Sequence, residues 1–154
     1  MKKSEYPSAR SYNMSRIRGK NSKPEEIVRR YLFKRGFRYR KNYKELPGSP
    51  DIYLPKYNTA IFVNGCFWHV HDCGKFNMPK TNQKFWQAKF ERNVARDERN
   101  IEELTELGIN VIVIWECGLG SEVREETLED LVEMIQTNHD DEKMREFFLS
   151  CDWG

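Results

Sequence analysis

The stretch PGSPDIYLPKYNTAIFVNGCFWHVHDC, residues 47–73, carries two different signals on one piece of chain. Its first half holds two short β-type runs, DIYL and TAIFV, separated by Pro55 to Asn58, the composition of a hairpin turn. Its second half crowds Cys66, His69, His71 and Cys73 against Phe67 and Trp68. Outward from there, SKPEEIVRRYLFKRG upstream predicts a helix. Ser22 is its N-cap, Pro24 lies in the first turn, Glu25 completes a Ser-x-x-Glu capping box, and Gly36 is the stop. FRYRK then alternates like a strand. Downstream, a long helix is expected from about Asn82 to Leu107, ended by Gly108, then a buried strand, NVIVIW, and an amphipathic helix over roughly residues 122–137. Helix, strands, helix, strand, helix predicts an α/β domain, a mixed sheet covered by helices.

The 154 residues suit one domain. The first twenty or so residues, rich in Ser, Asn, Arg and Gly with little apolar periodicity, read as an arm (1–20) that orders on a partner, ahead of a single domain over 21–154. No apolar run approaches the ~20 residues of a membrane span, and the N-terminus lacks the apolar stretch of a secretory signal. A cytoplasmic location is therefore expected, and four cysteines in a reducing compartment point to metal binding or free thiols before disulfides.

The formal charge of +2 hides a strong asymmetry. Residues 1–44 carry 15 Lys and Arg against 3 Asp and Glu, whereas residues 101–154 carry 3 against 15. The basic end suits a polyanion. Four Trp, seven Tyr and nine Phe, several beside basic residues, add stacking surface to that charge, the combination a nucleic acid requires.

Cys66, His71 and Cys73 lie in the loop after TAIFV, and Cys117 just past NVIVIW. If those two strands are neighbours their exits converge, and the four side chains make either a closed tetrahedral zinc site or a group of free buried thiols. A closed shell has no open coordination position, so such a zinc is structural and catalytic groups must lie elsewhere. Asp51 follows Gly-Ser-Pro at the start of a β-type run, where a carboxylate either projects toward a hard cation such as magnesium or simply forms a turn. Asp97 interrupts the apolar stripe Phe90, Val94, Ile101, Leu104 of the long helix, which places a carboxylate on the core side. A buried carboxylate needs a partner. An arginine or a histidine would serve, and His69 is the candidate histidine unless it is a surplus metal ligand.

PGSPDIYL, IFVNGCFWHVHDC, FWQAKFERNVARD and ELGINVIVIWEC, with the arm RSYNMSRIRGKNSKPE, together resemble the very short patch repair (Vsr) DNA mismatch endonuclease family over nearly the whole chain to about residue 135. The resemblance implies a restriction-endonuclease-like fold without the usual catalytic lysine. It implies an enzyme that nicks the thymine-bearing strand 5′ of a T·G mismatch left by deaminated 5-methylcytosine. Carried onto this sequence, it implies that Asp51 and the carbonyl of Val63 bind magnesium, that His69 handles protons with Asp97 nearby, and that Glu25 belongs to the active site. It implies zinc on Cys66, His71, Cys73 and Cys117, wedging aromatics at Phe67, Trp68 and Trp86, and Met14 on a DNA-embracing arm. Asn64 stands where the family pattern has a histidine near the scissile phosphate, and an amide can hydrogen-bond there but cannot take a proton. The partners implied are mismatched double-stranded DNA and a downstream repair polymerase and ligase, with the protein a monomer off the membrane. A zinc-stabilised DNA-binding module without activity, or a restriction-type nuclease with another target, are the alternatives.

Overall fold

The computed structural model describes residues 22–74 and 77–150, the last six as backbone only. Its elements in chain order are α1 (Lys23–Lys34), β1 (Arg40–Lys41), β2 (Ile52–Leu54), β3 (Thr59–Asn64), α2 (Gln83–Glu106), β4 (Asn110–Trp115) and α3 (Arg124–Ser150). The four strands form one mixed sheet in the order β1-β2-β3-β4. β2 and β3 pair antiparallel with Ile52 opposite Ile61, closed by a 3-10 turn over Pro55–Tyr57 and by Asn58 in the left-handed conformation (φ 48°). The expected hairpin is therefore present. β4 pairs parallel to β3, with Val63 opposite Ile114 and Asn64 opposite Trp115, and α2 is the crossover between them.

Alternation along the strands divides the core between the two sheet faces. Ile52, Leu54, Ile61, Val63, Ile112 and Ile114 pack with Val28 and Leu32 of α1 and with Leu128, Leu131 and Ile135 of α3. On the other face Ala60, Tyr53, Phe62 and Val111 meet Leu104 of α2 and Ile109. Residues of β3 are buried on both faces because helices cover both, which is why TAIFV is a continuous apolar run.

Two elements differ from the sequence expectation. FRYRK forms only a two-residue strand, Arg40–Lys41, since Phe37 turns into the core and edge pairing with β2 supports no more. The last helix does not stop near residue 137 but continues to Ser150. The extension's first turns meet the β2–β3 turn through long-range contacts, with the His139 ring 4.9 Å from Tyr57 and Glu142 Oε1 accepting from Asn58 Nδ2 at 3.0 Å.

A cleft and a thiol cluster on one loop

β3 ends at Asn64, and the next nine residues supply two sites. The loop is tightly wound by its own backbone. His69 N–H donates to the Gly65 carbonyl at 3.2 Å and His71 N–H to the Cys66 carbonyl at 2.9 Å. Between the two histidines Val70 adopts φ +52°, a left-handed conformation that a β-branched residue takes at a cost on the order of 1–2 kcal/mol. That reversal sends the two histidines to different surroundings. His69 enters a carboxylate-lined cleft, while His71 joins the thiols.

The cleft, about 480 Å³, is lined by Glu25, Asp51, Val63, Asn64, His69 and Asp97, with Arg96, Arg99 and Asn100 on its α2 side. Each residue arrives by a separate route. Asp51 stands before β2, and its Oδ2 accepts from Val63 N–H of β3 at 2.8 Å. Burial pushes its carboxyl up from 3.8 to about 6; the nearby Glu25 adds to this, against the Val63 hydrogen bond, His69 and Arg29. Glu25, itself buried, receives Arg29 Nη1 at 3.4 Å one helical turn on, and its own N–H donates to Ser22 Oγ at 3.5 Å. The capping residue therefore does a second job, since its carboxylate reaches the cleft while its amide is capped. From α2, Asp97 hydrogen-bonds His69 through Oδ2 to Nδ1. The stripe expectation for Asp97 is met in its partner, although the carboxylate is half-buried and not fully enclosed. Asn64 is buried beside Phe62, Asp97 and Asn100.

On the other side of the loop, one ligand atom each from Cys66, His71, Cys73 and Cys117 lies within 4.8 Å of the other three. Parallel pairing explains the convergence, because Cys66 and Cys117 each stand two residues beyond the paired Asn64 and Trp115. His71 Nδ1 is 3.6 Å from Cys66 Sγ and 3.5 Å from Cys117 Sγ. A tetrahedral zinc with ordinary Zn–S and Zn–N bonds requires an S···N separation of ~3.6 Å, so the donor set fits that ion in spacing as well as in chemistry. Burial, chiefly, pushes the Cys66 thiol up to about 12, with the neighbouring thiols Cys117 and Cys73 contributing. The His71 ring stacks on Trp115 at 3.9 Å, and the same indole meets the His69 ring edge-on at 6.3 Å.

Phe67 and Trp68 project between these sites onto α2. Phe67 lies 5.2 Å from Trp68, 5.9 Å from Trp86 and 5.2 Å from the buried Phe90, and Trp68 lies 6.1 Å from Trp86. Lys89 Nζ sits over Trp68 at 5.1 Å and over Trp86 at 5.8 Å. Asn93 Nδ2 donates to the Trp68 carbonyl at 3.0 Å, tying the loop to the helix. The three aromatics named from the sequence are thus one half-buried cluster. Met14 and residues 1–20 lie outside the described residues, as does Cys151.

Comparison with known proteins gives the family. A family model described as DNA mismatch endonuclease Vsr matches residues 4–75. The type II nicking enzyme V.NmeAIP of Neisseria meningitidis serogroup A is 48% identical over 130 residues, which cover 84% of this chain and 93% of that protein. The chain belongs to the Vsr family. Other Vsr relatives are the type II nicking enzyme V.XorIIP of Xanthomonas oryzae and the DNA mismatch endonuclease Vsr of Escherichia coli K12. V.XorIIP is 43% identical over 113 residues (73% of this chain, 83% of that protein), and the E. coli enzyme 41% over 110 residues (71% and 70%). No helix among the described residues is long and apolar enough to cross a membrane.

Several residues that shape the cleft and the thiol cluster escaped the sequence reading. Arg29 carried a usable signal, an i,i+4 partner for Glu25 on a helix already recognised. Trp115 and Val70 did not, since a strand-terminal tryptophan reads as core and a left-handed valine has no sequence signature.

Proposed function

We propose that this protein is a magnesium-dependent DNA endonuclease that nicks the thymine-bearing strand 5′ of a T·G mismatch. We further propose a restriction-endonuclease-like fold over residues 21–154, with a structural zinc and a basic arm over 1–20 that carries Met14 along the duplex. The observation that carries the reading is the His69–Asp97 pair facing Asp51 and Glu25 within one cleft. A general base with its orienting carboxylate beside hard oxygen donors is what phosphodiester hydrolysis requires.

The cleft suits magnesium, because Asp51 and Glu25 crowd negative charge into a partly desolvated place that a hard divalent cation relieves. Asp51 and the carbonyl of Val63 would hold it, with Glu25 close by. When bound, it supplies positive charge against the phosphate oxygens and the leaving oxygen. The remaining chemistry belongs to the chain. Asp97 accepts a hydrogen bond from His69 Nδ1–H and so leaves Nε2 as the proton acceptor. Nε2 takes a proton from the attacking water as its oxygen bonds to phosphorus. The opposite phosphorus–oxygen bond then breaks, and the leaving oxygen takes a proton from solvent. Asn64, at the position where the family resemblance implies a histidine, offers an amide hydrogen bond to a phosphate oxygen and cannot take up a proton. Zinc on Cys66, His71, Cys73 and Cys117 would keep the loop from collapsing while Phe67, Trp68 and Trp86 wedge into the stack. Unstacking costs a few kcal/mol and less at a weak pair, which gives preference for the mismatch.

A second reading is favoured by the relatives named type II nicking enzymes, that flanking bases contribute to target choice. Single-turnover nicking with magnesium tests both. Strand-labelled T·G duplexes are expected to be cut on the thymine strand alone, far faster than matched controls, with the flanks setting the rate. Equal cutting of matched and mismatched duplexes overturns mismatch selectivity, and no cutting of either leaves a binding module.

A further inference from the structure

On the cleft side of α2, Arg92, Arg96 and Arg99 recur at spacings of four and three, and all three are exposed. Like charges at that helical spacing repel one another. Ion pairing would relieve the repulsion, yet none of the three forms an ion pair among the described residues. Arg99 has Glu102 and Glu103 three and four residues on, at pairing distance along a helix, and instead lines the cleft with Arg96. Arg96 Nη2 donates only to the neutral Asn93 Oδ1, at 3.3 Å.

The row also has a direction. It starts one turn beyond Lys89, whose ammonium covers the aromatic cluster, and ends at the wall of the cleft that holds Glu25, Asp51 and Asp97. From Arg92 to Arg99 it spans ~10 Å of helix axis, about three base steps at 3.4 Å per step of one strand. Three carboxylates repel a phosphate, so a strand entering that cleft needs cations at its mouth. We infer that Arg92, Arg96 and Arg99 form a phosphate track that seats the strand between the aromatic cluster and the carboxylate cleft. The inference rests on the nicking function proposed above and adds the groups that draw the strand in.

Salt-dependent binding of the full-length, zinc-loaded protein tests it, without magnesium, on T·G and matched duplexes of the same length. Each neutralised phosphate contact contributes about 0.9 to the slope of log K against log salt. Arg96→Gln and Arg99→Gln should each lower that slope by about one, equally on both duplexes. The Lys substitutions should keep it near the wild-type value. Because the positions are exposed, melting temperature and zinc content should be unchanged. An unchanged slope in a folded, zinc-loaded Gln variant overturns the track and returns these arginines to a solvated helix face. If the wild type shows no mismatch preference, the T·G assignment fails, while the slope on the matched duplex still decides the track.

Discussion

The carboxylate cleft and the thiol cluster lie on either side of the same nine-residue loop, yet they are built from opposite materials. The cleft gathers oxygen donors from three separate elements, with Glu25 on α1, Asp51 before β2 and Asp97 on α2, and leaves them open to a space of about 480 Å³. The thiol cluster draws on two adjacent strand ends and closes on itself, with its four donor atoms within 4.8 Å of one another. An open set of hard donors can admit a substrate oxygen, whereas a closed set of soft donors can only hold a shape. The difference teaches that candidate ligands adjacent in sequence divide by geometry into an open, oxygen-lined set and a closed, thiol-rich one.

Breaking the closed site should have the larger effect. Cys117→Ser is expected to lose zinc and to lower the melting temperature by many degrees, since a structural zinc shell contributes folding free energy directly. Metal analysis and melting on the same preparation check it, and a zinc-free wild type of full stability would sink it. Next in size, Asp51→Ala and His69→Ala should each reduce single-turnover nicking by roughly 10²-fold or more while mismatch affinity stays within a few fold. Near-wild-type nicking by either variant would remove that residue from the chemistry.

The comparison sharpens with pH. Asp51 titrates near 6 chiefly because it is buried, so its carboxylate is available to a cation above that value and protonated below it. At subsaturating magnesium, nicking should therefore fall about tenfold per unit below pH 6, and added magnesium should move the midpoint lower. Stability of the magnesium-free protein runs the other way. The folded pKa of about 6 exceeds the ordinary 3.8, so the stabilisation from holding the proton is complete below 3.8 and lost as pH rises through 6. Asp51→Asn should consequently raise stability at pH 7, by an amount on the order of 2 kcal/mol, while abolishing nicking. Denaturant melts at pH 5 and 7 measure this, and a variant no more stable at pH 7 contradicts it.

The smallest effect is expected between the two sites, in the aromatic cluster. Trp68 is half-buried and has ring neighbours at 5.2 Å and 6.1 Å, so truncation should cost modest stability. If it also stacks on a base, Trp68→Ala should lose roughly ten-fold of the preference for T·G over matched duplex, since one such stack contributes on the order of 1–3 kcal/mol. Competition binding beside thermal melting separates the roles. A variant that melts far lower but discriminates normally would make Trp68 purely structural.

Much of this was legible in the chain itself. Period-two and period-3.6 patterning, with Ser22, Gly36, Asn58 and Gly108 as punctuation, placed α1, the β2–β3 hairpin, α2 and β4, because those signals are local and each is set by a few neighbouring residues. Donor chemistry also belongs to the sequence, so the soft set Cys66, His71, Cys73 and Cys117 and the odd carboxylate Asp97 could be named beforehand. Tertiary structure alone decided how these groups were shared out. The parallel register of β3 and β4 brought Cys117 to Cys66 across 51 positions, and Val70 in a left-handed turn sent His69 and His71 to different sites. Packing of α1 and α2 on opposite faces of the sheet carried Glu25 and Asp97 to Asp51 and His69. Long-range pairing and a single unfavourable backbone angle depend on the whole energy of the folded chain, and no short window of sequence encodes them.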